Sequence, residues 1–291
     1  MKRQPSAAIR VGGIDYLNAL PLTRYLTEEG VPRLKVTSHS PAALAAGLRA
    51  GELDIALVPV VEYLAREEYA VVPGVCIASY GEVKSIRLYC RHAPSDARTV
   101  ALDSSSRTSA ALTRLLFKDL WRASPKFVEM APRDAEAVFR GGAGERGPDA
   151  VLLIGDSALR TPPPAKWEAL DLGLTWTRWT GLPFVYAFWV WRGGPAPGGL
   201  VERFQRARDL GLARIDDIVR ESSGASGLEP QAVRHYLNRT IQYDLNAAHV
   251  EGLLEFFRRA GASLGTGRDA GLDSADASLT WVEERASQPA S

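Results

Sequence analysis

The chain has 291 residues, enough for one large domain or two of medium size. Apolar residues make up 46% and charged residues 24%, and a formal net charge of +1 excludes broad polyanion binding, so neither nucleic acid nor a membrane surface is an expected partner. The two cysteines, Cys76 and Cys90, lie in separate apolar runs without CxxC spacing, which predicts buried reduced thiols.

The start, "MKRQPSAAIRVGG", carries Lys2 and Arg3 but no apolar signal core, and no later run reaches the length of a membrane span. A cytoplasmic protein is the expectation. "AIRVGGI" then reads as a strand, "ALPLTRYLTEEG" as a helix closed by Gly30, and "RLKVTSH" as a second strand. Ser40-Pro41 is an N-cap followed by proline at the first helical position, opening "PAALAAGLRAGE". "LDIALVPV" is a third strand, its continuous apolar content marking burial on both faces, and "VVEYLAREE" is a short helix. This order is βαβαβ, the pattern of a parallel sheet with right-handed crossovers.

Two further strands follow, "GVCIAS" and "SIRLYCR", and then a second series. "RTVALDS" reads as a strand, "RTSAALTRLLFKDLW" as a helix, "KFVEM" as a strand and "RDAEAVFRGG" as a helix. "DAVLLIGDSAL" is a strand running into a turn and helix. The segment "TPPPAKWEALDLGLTWTRWTGLP" reads as loop-rich, and "FVYAFWVWR" as a strong last strand; the aromatic cluster from Trp176 to Trp191 is expected in the core and between lobes. From about residue 198 the chain turns helical, in "LVERFQRARDLGLARIDDIVRES", "EPQAVRHYLNRT" and "NAAHVEGLLEFFRRAG", and "ASQPAS" reads as a disordered tail.

The arrangement that accounts for this order is α/β, with two lobes joined by two crossing strands and the helical C-terminal part packed on the first lobe. Residues 1–88 and 187–291 then make the first lobe and 89–186 the second. The chain crosses near "SIRLYCR" and near "PFVYAFWV". Ligands of open α/β sheets bind beyond the carboxyl ends of the strands, so the cleft between the lobes is the expected site.

Three strand-to-helix turns are rich in small hydrogen-bonding groups. In "DYLNALPL", Asn18 is either a plain helix cap or an amide held at the mouth of an apolar pocket, and Tyr16 lies beside it. "DSSSRTS" places Ser105, Ser106, Arg107, Thr108 and Ser109 at a helix start, more hydroxyls than one cap needs. In "IGDSAL", Gly155 lets backbone approach a ligand, with Asp156 next to it. Helix starts of this kind favour a carboxylate, and the GxxxxGK spacing of a triphosphate loop is absent. Ser85, at the first crossing, either faces ligand or is satisfied within its strand. Four histidines without HExxH spacing and the absence of GxSxG argue against metal and serine-hydrolase chemistry.

Taken together, "DYLNALPL", "GELDIALVPVVEYL", "SSSRTS", "LLIGDSAL" and "WTRWTGLPFVYAFWVWR" resemble the chorismate dehydratases of the futalosine route to menaquinone, from about residue 9 to 262. The resemblance implies the fold of type II periplasmic binding proteins and a cofactor-free elimination of water from the dicarboxylate chorismate, giving 3-[(1-carboxyvinyl)oxy]benzoate. It implies Asn18 and Ser85 as the polar groups at the reacting centre, with the substrate's own enolpyruvyl carboxylate taking the proton. It also implies that Ser105, Ser106, Thr108 and Ser109 hold a carboxylate, near Gly155 and Asp156, and leaves Arg107 to pair with ligand or with an acid such as Asp156. Where the resemblance has Gly-Pro before the serine, this chain has Gly81-Glu82. The rivals are the related 1,4-dihydroxy-6-naphthoate synthases, which are expected to place a histidine base in the second lobe where this chain has, between residues 91 and 184, only His92 at the crossing, and a non-catalytic solute-binding protein.

Overall fold

The computed structural model describes residues 8–27, 32–140, 147–163, 165–264 and 279–285. Its strands are, in chain order, β1 (Ile9–Gly13), β2 (Leu34–Ser38), β3 (Ile55–Pro59), β4 (Ala70–Ser79), β5 (Ile86–Cys90), β6 (Thr99–Asp103), β7 (Lys126–Met130), β8 (Ala150–Ile154), β9 (Glu168–Asp171) and β10 (Phe184–Trp191). They form two five-stranded sheets, ordered β2-β1-β3-β10-β4 and β7-β6-β8-β5-β9. The two orders are the same pattern. Each has three parallel strands, then one antiparallel strand borrowed from across the crossing, then an edge strand antiparallel to that one.

The helices are α1 (Leu20–Thr23), α2 (Pro41–Ala50), α3 (Arg107–Leu115), α4 (Pro132–Arg140), α5 (Gly155–Arg160), α6 (Leu172–Thr180), α7 (Leu200–Ala213), α8 (Ile215–Ser226), α9 (Pro230–His235) and α10 (Ala247–Leu264). Ser40 caps α2 through its side chain, and Gly51 closes the helix in the left-handed conformation, as the sequence predicts. Elsewhere the helices are more broken than periodicity suggests. The helix expected over 19–30 is one turn of 3-10 helix and one of α-helix, and Gly30 lies outside the described residues. "VVEYLA" is a 3-10 segment, and α3 and α9 each end in a wider π-type turn, at 116–120 and 236–240. The long helix expected over 200–222 divides at Arg214, whose guanidinium lies over the Tyr25 ring. The tail "ASQPAS" lies outside the described residues.

The segment 161–183, expected to be loop, contains β9 and α6. Asp171 ends the strand and caps the helix by accepting from Leu174 N–H at 3.0 Å, and Gly181 stops it at φ +76°. Asp171 also accepts from the N–H groups of Val83 (3.0 Å) and Lys84 (2.7 Å), so one carboxylate pins the first passage between the sheets to the start of α6. Gly81 takes φ +92°, and its N–H bonds to Thr177 Oγ1 at 3.0 Å, a turn that needs no proline at Glu82. The passages themselves are residues 80–85 and 181–183, at the N-terminal edges of β5 and β10.

Most of the aromatic cluster is core. Trp176, Phe184, Phe188 and Trp189 are buried, with Trp176 edge-on to Phe184 and Phe256, and Trp189 against Phe204. The C-terminal helices approach closely enough that two glycines are required. An alanine at Gly211 of α7 would drive its methyl into the backbone carbonyl of Pro21, and one at Gly252 of α10 into that of Pro183. Alanine ordinarily favours a helix interior over glycine by about 1 kcal/mol. Here overpacking reverses the sign, and Gly211→Ala and Gly252→Ala are each expected to destabilise by about 1–3 kcal/mol in thermal unfolding. A raised melting temperature for either would show that the helices have room to spare.

Candidate functional site

The parallel strands of both sheets point their carboxyl ends at one cleft. Ile14, Tyr16 and Asn18 reach it from the turn after β1, Pro59 from the end of β3, Ser105 and Ser106 from the turn after β6, and Ile154 and Gly155 from the end of β8. The antiparallel strands add Ser85 and Ile86 at the start of β5, and Tyr186 and Ala187 in β10. The cleft encloses about 590 Å³ including its mouth, in the range of small-molecule sites. Its wall is mostly apolar, with hydroxyls, one amide and backbone as its polar groups, and no charged side chain lines it among the described residues.

Asn18 sits in the 3-10 turn Leu17–Ala19 and is not a helix cap: Tyr16 and Ala19 hold the cap positions of the two successive turns. The amide and Ser85 line the same cleft and share one hydrogen-bond partner. Ser85 is 1% exposed, its N–H donates to Val83 O at 2.7 Å, and its carbonyl accepts from Gly155 N–H at 2.7 Å. The shared partner is Tyr236, which donates to Ser85 Oγ at 2.7 Å and is also bonded by the Asn18 side chain. Burial pushes the Tyr236 phenol well above its ordinary range, against the lowering pull of Ser85 and Asn18. The sequence reading missed Tyr236. It lies in "EPQAVRHYLNRT", where a tyrosine on an apolar helix face reads as core.

The loop before α3 divides its hydroxyls between itself and the cleft. Ser105 donates both N–H (2.8 Å) and Oγ (2.5 Å) to the buried Asp103. Tyr16 bonds to Ser105, and burial raises the Tyr16 phenol despite that bond. Ser106 is the N-cap, accepting from Ser109 N–H at 3.2 Å and donating to Ser109 Oγ at 2.9 Å. A hydroxyl that accepts from its neighbour keeps its own proton to give, so Ser109 faces the cleft as a donor. The first N–H groups of α3 have no partner within the helix, and they sit at the positive end of its dipole. An anion in this cleft is therefore met by neutral donors.

Three candidates stand away from the cleft wall. Arg107 forms an ion pair with Glu62, which also takes Arg49 at 2.5 Å; Asp156 is not its partner. Thr108 is buried, and its hydroxyl has no hydrogen-bond partner among the described residues. Asp156 faces a second hollow with Asp15, Arg24 and Glu221, where burial raises its carboxyl above the usual range while Arg160 and the Leu17 N–H pull it down. Gly155 lines the cleft at φ +60°, but its N–H is taken by Ser85. None of the four histidines lines the cleft, and His92 is exposed beyond β5. Among the described residues no group of three or more His, Cys, Asp or Glu is placed to hold a metal, and no helix is long and apolar enough to cross a membrane. Cys76 and Cys90 are free and buried.

Comparison with known proteins bears on this geometry. A family model described as menaquinone biosynthesis matches residues 9–262. A curated chorismate dehydratase of Thermus thermophilus is 32% identical over 264 residues, covering 84% of this chain and 93% of that protein. Among solved structures, protein AF1704 of Archaeoglobus fulgidus superposes with a TM-score of 0.70 at 17% identity, covering 89% of this chain and 99% of that one. The periplasmic aliphatic sulphonate binding protein of Escherichia coli gives 0.63 at 15% identity, over 96% and 94%. These structural likenesses establish a periplasmic-binding-protein-like fold.

Proposed function

Because the chain belongs to the menaquinone-biosynthesis family, we propose that it is a chorismate dehydratase, a hydro-lyase that converts chorismate to 3-[(1-carboxyvinyl)oxy]benzoate and water. The observation that carries the reading to the site is the joint presence of Asn18 and Ser85 in one cleft with the hydroxyls and N–H groups at the start of α3. The reaction takes a proton from the ring carbon that bears the enolpyruvyl ether. Its electron pair forms the new ring double bond, the neighbouring C–O bond breaks, and the departing hydroxyl leaves as water. Aromatisation drives the step downhill, so the protein's task is orientation and stabilisation of the leaving oxygen.

In this reading the Ser109 hydroxyl and the N–H groups that open α3 receive one carboxylate of the substrate, with Ser106 holding Ser109 in place. Ser85 faces the leaving hydroxyl, Asn18 orients the ring, and the enolpyruvyl carboxylate itself removes the proton. Such a division suits a cleft whose walls carry hydroxyls and an amide but no carboxylate or imidazole among the described residues. The two sheets with the helices packed on them then form the two jaws, joined at residues 80–85 and 181–183, and the protein works in the cytoplasm. The test is incubation of the purified chain with chorismate, without added metal or nucleotide. The expected result is an aromatic ultraviolet spectrum and a product lighter by one water. Tight binding of chorismate with no turnover would favour a solute-binding role and end the enzymatic reading.

A further inference from the structure

Tyr236 enters the site from the C-terminal helical part, 151 residues along the chain from the serine it touches. It stands on the far side of Ser85 from the cleft and borders a separate hollow with Lys84, Arg87 and His235, so it does not itself line the cleft. The valences of the cluster determine which way its protons point. A phenol has one proton, and that of Tyr236 goes to Ser85 Oγ at 2.7 Å. The bond between Asn18 and the same phenol oxygen must then be donated by the amide nitrogen, leaving the amide oxygen as Asn18's acceptor. A serine hydroxyl also has one proton, and here its oxygen is accepting. With the Ser85 N–H given to Val83 and its carbonyl taken by Gly155, the Oγ–H is the group Ser85 has left to offer the cleft.

We propose that Tyr236 is a positioning residue that fixes Ser85 as a hydrogen-bond donor toward the leaving hydroxyl, through the directed chain Asn18 N–H to Tyr236 O–H to Ser85 O–H. Without it the serine hydroxyl is free to turn and present a lone pair, which repels a developing hydroxide. Successive donors polarise one another in a buried setting, so the end of the chain is a stronger donor than an isolated serine. The high pKa that burial imposes on the phenol keeps it protonated, and therefore directional, across the working range. This inference rests on the dehydratase reading and adds a residue that contacts no substrate.

The experiment is a double-mutant cycle on the full chain with chorismate, comparing the parent protein, Tyr236→Phe, Ser85→Ala and the pair. Tyr236→Phe keeps the ring and loses the proton. It is expected to lower kcat about tenfold with KM within about twofold, and to add less than about twofold in the Ser85→Ala background. Full additivity in the pair, or a Tyr236→Phe enzyme with the parent's kcat, overturns the inference. Asn18→Asp supplies an independent arm should Tyr236→Phe not fold. A carboxylate accepts only, so it captures the phenol proton and reverses the chain; kcat should fall to the Ser85→Ala level. Parent-like turnover in Asn18→Asp also overturns it. A parent protein inert toward chorismate instead removes the dehydratase reading, and so the two failures are distinguishable.

Discussion

Replacing Ser85 with alanine is expected to lower kcat for chorismate dehydration by about 10²-fold or more, with KM changed by less than about threefold. Loss of one preorganised donor to a developing oxyanion costs about 2.7 kcal/mol of transition-state stabilisation, which corresponds to that factor. The substitution removes the donor and leaves the Tyr236 hydroxyl with one partner fewer, but the cleft wall is otherwise intact. The groups proposed to hold the substrate carboxylate, Ser109 and the N–H groups that open α3, belong to another element, and so ground-state binding is expected to survive. Steady-state kinetics beside a thermal melt separate the two effects. If Ser85→Ala retained more than a third of the parent's kcat, the serine would have no part in the chemistry. Asn18→Ala is expected to lower kcat as well and to raise KM, because the amide bonds Tyr236 and, in the proposed mechanism, orients the ring.

Removing both arginines around Glu62 is expected to produce the largest loss of stability. Glu62 is 1% exposed, with one carboxylate oxygen on Arg49 at 2.5 Å and the other on Arg107. Arg49 ends α2 of the first sheet's layer, and Arg107 begins α3 of the second, so the buried carboxylate ties the two lobes beside the cleft. In Arg49→Ala/Arg107→Ala that charge has no counterion. Breaking a buried pair from one side costs about 3–5 kcal/mol, and the partial exposure of both guanidiniums argues for the lower end. At about 2–4 °C per kcal/mol for a chain of this size, the unfolding midpoint should fall by about 10 °C. Adding Glu62→Gln should recover much of that fall, because a neutral amide has no charge to strand. A fall of under about 2 °C in the double variant would mean that water already reaches the carboxylate.

Much of this molecule is legible from local patterns alone. The alternation of apolar runs with capped helices specifies two α/β series, because a strand buried on both faces and a helix with a Ser-Pro start carry their instructions within a few residues, as Leu53–Pro59 and Ser40–Ala50 do here. The turns after β1, β6 and β8 could be picked out for the same reason: they concentrate small polar residues where helix starts leave N–H groups open. Start and stop marks for α6, Asp171 and Gly181, were also present, and the aromatic richness between them masked a helix nine residues long. What the chain order could not decide is which side chain receives which proton or charge. Arg107 had acids on several elements within plausible reach, and only the packing of the 3-10 segment after β3 against α3 selected Glu62. Tyr236 looks like any core tyrosine until folding carries it to Ser85, because hydrogen bonds between residues far apart in sequence depend on three-dimensional register, and nothing in local composition encodes that register.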